Sequence, residues 1–114
     1  MAYDENLANK VREALIDIPN VEEKKMFRGI TFMVNGKMCI SVSGDELMCR
    51  IGADVFDEAL EKEGVRQMVR GGTAMKGFVY VSPEGYRTPS DFDYWLKLSL
   101  GFNQQAKASK KNKV

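Results

Sequence analysis

The segment MFRGITFMVNGKMC, residues 26–39, decides the fold because it has the pattern of a β-hairpin. Its Asn35-Gly36 dipeptide is typical of a tight turn between two antiparallel strands. Apolar residues alternate on both sides of this turn, with Ile30, Phe32 and Val34 before it and Met38, Ile40 and Val42 after it. The two sets share one face if the loop has three residues, 34–36, and Phe32 pairs with Met38. We therefore predict a three-residue loop with Gly36 in the left-handed conformation.

The next turn, Gly44-Asp45, favours a loop of two residues, because that length aligns the apolar alternates of the flanking strands. Cys49 then lies opposite Ile40 on the core face, and Cys39 points to the other face beside Arg50. Thiols on opposite faces of a sheet cannot form a disulfide. We therefore predict a buried thiol and a half-buried thiol rather than a redox pair.

The face opposite the predicted core also carries apolar side chains, since Met33 and Met48 fall on it. A methionine-bearing face is either an adaptable partner-binding surface or the second buried face of a covered sheet. The pattern favours the covered sheet.

Helical periodicity on either side of these strands predicts an α+β domain. Asp4, Asp54 and Thr88 are the expected N-caps of three helices, and Pro19 and Asn20 are expected to stop the first. Residues 21–25 are expected to lead into the hairpin, and residues 65–69 and 77–81 to be strands. The predicted order is α-β-β-β-α-β-β-α, with the helices packed on a small, mainly antiparallel sheet.

The composition excludes several classes of function. The 114-residue chain is 44% apolar and contains two cysteines and no histidine. The missing histidine removes Ser-His and Cys-His nucleophile pairs and most zinc sites, so we expect no cofactor, no metal and no enzymatic activity. No segment has the length of a membrane span, and the acidic N-terminus lacks the layout of a signal peptide. A cytoplasmic location is the expectation.

Two other patterns in the sequence are weak indications of chemistry. The glycine-rich residues 70–77 contain Lys76, but a strand follows rather than the hydroxyl residue and helix of a phosphate loop. They are better explained as a turn. Paired carboxylates at residues 57–58, 61–63 and 91–93 have the spacing of solvated helix faces.

Positive charge is concentrated at the C-terminus, where Lys107, Lys110, Lys111 and Lys113 lie in the last eight residues. The net charge of +1 becomes −3 without these four lysines, which is unlike a dedicated duplex-binding surface. We predict one domain over residues 1–106 and a basic, disordered tail over residues 107–114. Direct nucleic-acid binding would use this tail together with Tyr86 and Tyr94 as surface stacking groups.

A family resemblance rests on a series of short motifs in a fixed order. They are Met26-Phe27-x-Gly29, Phe32, Asn35-Gly36-Lys37-Met38, Leu47 to Arg50, Met75-x-Gly77-Phe78-Val79-Tyr80-Val81, and Trp95 in the last helix. Together they resemble the N-terminal domain of the TfoX (Sxy) family of bacterial competence regulators, over about residues 7 to 104. The resemblance implies an α+β module without known catalytic residues. The family is linked to transcriptional control of DNA-uptake genes through other proteins.

The chain departs from the family pattern at Arg28, where a second glycine is usual, and we expect a stand-alone domain without the helical second domain of the competence regulators. The leading hypothesis is a non-enzymatic interaction module that contacts a protein partner. Its candidate contact surface comprises Arg28, Lys37, Arg50 and Lys76. The alternatives are a direct nucleic-acid binder that uses the lysine tail, and a small ligand-binding or thiol-based protein.

Overall fold

The computed structural model describes residues 3–26 and 29–104. Within them, six strands form one antiparallel sheet in the order β1-β2-β3-β4-β6-β5. The strands are β1 Val21–Met26, β2 Gly29–Val34, β3 Lys37–Ser43, β4 Glu46–Arg50, β5 Val65–Arg70 and β6 Thr73–Val81. The α-helices are α1 Glu5–Ala14, α2 Phe56–Leu60 and α3 Pro89–Asn103, and a 3-10 turn covers Pro83–Gly85. The predicted α+β class is confirmed, with β1 added to the predicted order.

Strand β1 was predicted as a lead-in segment because its residues, VEEKKM, are mostly charged and show no apolar alternation. It lies at the edge of the sheet and pairs along its full length with β2, from Val21–Val34 to Met26–Gly29. Charged side chains are usual on an edge strand, where they discourage pairing with another chain. Tertiary pairing rather than local pattern therefore creates this strand.

The β2–β3 hairpin differs from the predicted register. Val34 pairs with Lys37, so the loop has two residues, and Asn35 and Gly36 both have positive φ, at 55° and 76°. Positive φ at both positions is typical of a type I′ turn. Ile30 and Phe32 still share the core face with Ile40 and Val42, because the register shifts between Phe32 and Met33 and brings Phe32 opposite Ile40. A bulge within the ladder, rather than a three-residue loop, thus places these apolar residues of both strands on the core face.

Met38 is on the opposite face from the predicted one because of this bulge. It pairs with Met33, and both are buried in a cluster with Met48 and Met68. Met75, Phe78 and Tyr80 pack against the cluster. The prediction that this face is covered is confirmed.

The main core lies on the other face, under the helices. It contains Val11 of α1, Phe56 of α2 and Trp95 of α3 together with Phe32, Ile40 and Cys49 of the sheet. The Trp95 indole donates to the Gly85 carbonyl at 2.8 Å, which satisfies the one polar group of this buried side chain. None of the described helices is long and apolar enough to cross a membrane.

Helix capping agrees with the sequence at two of the three predicted positions. The Asp4 carboxylate accepts from the N–H groups of Asn6 and Leu7, and Thr88 Oγ1 accepts from the Asp91 N–H at 3.1 Å. Asp54 is not a cap: α2 begins after Val55, without a capping side chain. Helix α1 also ends at Ala14, before the predicted stop, although Leu15 still reaches the core.

Candidate functional site

A cleft lies at one end of the sheet. It is bounded by the C-terminal end of β4, the bend of β6 near Gly77 and the last turns of α3. Its volume is about 620 Å³. It is lined by residues 50–55 after β4, residues 76–78 of β6, and Lys97, Leu98, Gly101 and Phe102 of α3. These segments are far apart in sequence, so the cleft exists only in the folded chain.

Two glycines with positive φ allow the strands to meet at the back of the cleft. Gly52 has φ 88° and Gly77 has φ 97°. The Gly77 carbonyl accepts from the N–H groups of Ile51 and Gly52, at 2.8 and 3.1 Å. A Cβ on Gly77 would lie 3.2 Å from the Gly52 carbonyl carbon, and one on Gly52 would meet the Phe102 ring at 2.4 Å. The backbone approach therefore depends on glycine at both positions.

Arg50 forms the half-buried base of the cleft. It pairs across the sheet with Phe78, and its guanidinium carbon lies 5.6 Å from the ring centres of both Phe78 and Phe102. Its Nη1 also lies 3.5 Å from the Met38 carbonyl oxygen. Burial lowers the pKa of Arg50, but a guanidinium remains charged at neutral pH. The aromatic faces thus hold a fixed positive charge.

The other charged groups around the cleft are more exposed. Lys76 lies on the β6 wall and Lys97 on the α3 wall, where it pairs with Asp93 at 2.9 Å. Asp54 adds a carboxylate to the lining. The lining therefore carries an excess of positive charge among the described residues.

The structure brings together two of the four residues of the predicted partner surface. Arg50 and Lys76 line the same cleft. Lys37 is half-buried at the start of β3, one residue before the Met38 carbonyl that Arg50 contacts. Arg28 lies outside the described residues, as do the tail residues Lys107, Lys110, Lys111 and Lys113.

Sequence reasoning missed the contribution of α3 to this site. Lys97, Gly101 and Phe102 of α3 line the cleft, and none of the sequence patterns above points to them. Lys97 and Gly101 are four residues apart and therefore share a helix face. A glycine within a predicted helix, four residues after a lysine on the same face, could have indicated an open space next to Lys97.

Comparison with family models gives one decisive result. The model described as the TfoX N-terminal domain matches residues 13–103, which is most of the 114-residue chain. The chain belongs to the TfoX N-terminal domain family. Comparison with curated proteins and with solved structures finds no match.

Several residues that carry the resemblance to the TfoX family have structural roles. Gly29 faces the next strand so closely that a Cβ would lie 1.8 Å from the Val42 carbonyl oxygen. Gly77 forms the bend of β6, and Trp95 is the buried indole of α3. These three motif residues therefore stabilise the sheet and the helix packed on it.

The β3–β4 register places Cys49 opposite Ile40 as predicted, and both thiols are buried although Cys39 was predicted to be half-buried. Cys49 pairs with Ile40 in the main core, and Cys39 lies near Arg50. Burial raises the pKa of each thiol to about 12, against the smaller opposing effects of Arg50 on Cys39 and of the nearby Ser99 hydroxyl on Cys49. Ser99 Oγ makes no full hydrogen bond, so its contact with Cys49 is weak. Both thiols are protonated at neutral pH and are poor nucleophiles.

The predicted surface tyrosines are engaged within the fold. The Tyr86 hydroxyl donates to the Asp45 carbonyl at 2.6 Å, and burial raises its pKa to about 12. Tyr94 packs edge-on against Trp95 at 4.9 Å between ring centres and receives the Lys62 ammonium on its ring. Their rings are half-buried and are not open stacking platforms.

The other weak signals agree with their structural explanations. Residues 71 and 72 form the tight turn between β5 and β6, both with positive φ. The carboxylates of residues 57–58, 61–63, 91 and 93 are exposed. In the part of the chain that the structure describes, no group of three or more histidine, cysteine or acidic side chains could hold a metal ion.

Proposed function

We propose that this protein is a non-enzymatic interaction module that acts in competence-related or transcriptional regulation through a protein partner. Family membership supports the regulatory context, because the TfoX resemblance implies control of DNA-uptake genes through other proteins. The buried, protonated thiols give no support to nucleophilic chemistry.

The observation that carries the proposal is the meeting of Arg50 and Lys76 in one cleft. These residues are 26 positions apart in sequence, yet they lie with Lys97 around a concave, partly aromatic surface. Charge complementarity at such a surface selects partners and speeds their association. We infer that the partner presents an acidic patch to this end of the sheet.

Charge reversal tests the proposal on the full chain. The tagged protein and a variant with Arg28, Lys37 and Lys76 changed to glutamate are used to capture partners from a lysate of the source cells, with and without nuclease. Mass spectrometry is expected to identify a protein that survives nuclease and is lost with the variant. Arg50 is left unchanged because it is packed between two rings, so its reversal would also disturb the fold.

Lys24→Glu is the matched control, since Lys24 is an exposed lysine on the edge strand β1 and does not line the cleft. It should retain the partner. Capture that is equal for the triple variant and the native chain would contradict the proposed surface. Capture that disappears with nuclease would move the interpretation to nucleic acid.

A further inference from the structure

The cleft between β4, β6 and α3 has the size of a site for a small organic molecule. Its volume of about 620 Å³ lies within the range of about 300–1,000 Å³ that is usual for ligand pockets. Gly101 contributes to this space, because nothing lies within 4 Å of the position that its Cβ would occupy. The positive φ of Gly52 and Gly77 fixes the back wall. The concavity is therefore built by the backbone and does not depend on side-chain rotamers alone.

The walls of the cleft offer two kinds of contact. Apolar side chains cover much of the lining, among them Ile51, Val55, Leu98 and Phe102. Positive charge comes from Arg50 at the base and from Lys76 and Lys97, against the single carboxylate of Asp54 in the lining. The Lys97–Asp93 pair is solvent-exposed, so it constrains Lys97 only weakly. A ligand that satisfies both kinds of contact has an apolar body and an anionic group.

We propose that this cleft binds an organic anion with an apolar body, of the class of medium-chain or aryl carboxylates. The anionic group lies towards Arg50 and Lys76, and the apolar body lies against Leu98 and Phe102. This inference goes beyond the protein partner proposed above and does not require it, because the ligand is recognised by the cleft of the isolated chain. A free carboxylate and an acidic residue beside an aromatic one in a peptide share this chemistry.

The test uses the purified full chain and the fluorescent probe anilinonaphthalene sulfonate, which joins an anionic group to aromatic rings. The probe is expected to bind and to be displaced by decanoate. Decanol lacks the charge and acetate lacks the apolar body. Each should be at least about fivefold poorer as a competitor, decanol because it loses a charge-assisted contact and acetate because it buries almost no apolar surface. An N-acetylated Phe-Glu dipeptide amide is expected to compete more weakly than decanoate, and stronger competition by the dipeptide would overturn the assignment to a free carboxylate.

Amide NMR locates the bound decanoate. Shifts are expected at Gly52, Gly77 and Gly101, which line the cleft, and not at Gly44, which follows the opposite end of β3 from Met38. Shifts confined to another part of the surface would overturn the proposal. Equal competition by decanol would overturn the anion site, and equal competition by acetate would overturn the apolar one.

Variants separate the two contributions without touching the core. Lys76→Glu is expected to weaken decanoate about fivefold or more, as reversal of a favourable charge contact implies, whereas Lys24→Glu on β1 should leave it unchanged. Gly101→Leu should fill the cleft and abolish binding while keeping every charge. Unchanged decanoate affinity in Gly101→Leu, with native stability, would overturn the site. Because no partner enters this assay, its failure is independent of the capture experiment.

Discussion

Several glycines occupy positions where a side chain would not fit. Gly29 has the least space for one. A Cβ at Gly29 would lie 1.8 Å from the Val42 carbonyl oxygen, 2.9 Å from its carbon and 3.0 Å from Ser43 Cα. All three neighbours are backbone atoms of β3, so side-chain movement cannot relieve the overlap. The close pairing of β2 and β3 therefore requires the absence of a side chain here.

We expect Gly29→Ala to lower the free energy of unfolding by about 3 kcal/mol or more, because the strands must separate. Urea denaturation measures this change. Gly101→Ala is the matched control: its Cβ would meet no atom within 4 Å inside α3, so alanine should stabilise by up to about 1 kcal/mol through helix propensity. A Gly29→Ala variant as stable as the native chain would contradict the close packing.

The two thiols should be unreactive towards thiol reagents in the native protein. Burial raises the pKa of Cys39 and Cys49 to about 12. We expect almost no reaction with a disulfide reagent at pH 8, and two reactive thiols per chain after unfolding in urea. A fast-reacting cysteine in the folded protein would revive the thiol-based alternative.

The same burial predicts a loss of stability at alkaline pH. The unfolded thiols release protons near their ordinary pKa of 9, while the folded thiols hold theirs to about 12. The unfolded state therefore binds fewer protons in this window, and stability falls with rising pH by up to about 1.4 kcal/mol per pH unit per thiol. The slope is measured between pH 9 and 10, where Tyr86 adds a smaller contribution of the same sign, because its pKa rises from 10 in the unfolded chain to about 12 in the fold. A variant with Cys39 and Cys49 changed to alanine should lose most of this slope.

Among the elements, helix α1 is fixed by its cap, whereas α2 is fixed by its packing. The Asp4 carboxylate accepts from two N–H groups, at 2.9 and 3.2 Å. Asp54 precedes α2 but makes no capping bond. We expect Asp4→Ala to cost about 1 kcal/mol and Asp54→Ala to change stability by less than about 0.5 kcal/mol. Thermal unfolding of the two variants measures the difference, and equal costs would contradict it.

The β5–β6 hairpin contributes Met68 and Met75 to the methionine cluster, and its strand β6 bends at Gly77. The β5–β6 ladder shifts register between Gln67 and Met68. Strand β6 pairs with β4 only from Phe78 to Val81. Gly77, with φ 97°, lies at this bend. Met68 and Met75, beyond the bend, pack with Met48. Gly77 therefore lies next to the segment of β6 that contributes Met75 to the methionine cluster.

Gly77→Ala should strain this bend by about 1–3 kcal/mol, because an L residue rarely adopts such a backbone conformation. We expect faster oxidation of Met68 by peroxide, followed by mass spectrometry. Gly71→Asn is the control. Gly71 has φ 58°, close to the 55° of Asn35 in the other tight turn, and asparagine tolerates this conformation. Unchanged oxidation of Met68 in Gly77→Ala would show that the bend does not cover it.

At the scale of the whole molecule, the distribution of charge distinguishes binding to a protein partner from direct binding to DNA. The chain carries +1 overall and −3 without the tail lysines. Direct DNA binding would rest on those lysines and should vanish between about 50 and 200 mM salt, with a logarithmic slope no steeper than about −4. Fluorescence anisotropy is expected to show this weak binding. It should be lost when Lys107, Lys110, Lys111 and Lys113 are changed to glutamine, while capture of the protein partner persists.

Undiminished DNA affinity in that glutamine variant would place nucleic-acid binding in the domain itself. Loss of the protein partner in the same variant would show that the tail, rather than the cleft, makes the contact. Either result would replace the proposed contact surface.

The sequence predicted two of the residues of the candidate site but not the cleft in which they meet. Arg50 and Lys76 stood out as cations next to strands, and they do share a cleft. Lys97, Gly101 and Phe102 complete it from α3, and no local pattern links that helix to residue 50. Asp54 was assigned to a cap by its position before an apolar run, whereas packing of Phe56 and Ala59 on the sheet fixes α2.

The sequence by itself determined the elements that local chemistry specifies. Asn35-Gly36 and Gly71-Gly72 mark tight turns because their backbones need positive φ, Asp4 and Thr88 begin helices, and alternation assigns Ile40 and Cys49 to the core face. Only the tertiary structure decided the rest. Strand β1 forms because it pairs with β2. The register shift between Phe32 and Met33 allows a two-residue turn and still places Phe32 and Ile40 on the core face. The cleft forms where three distant segments meet. These features depend on contacts between residues far apart in the chain, and short-range patterns carry no information about such contacts.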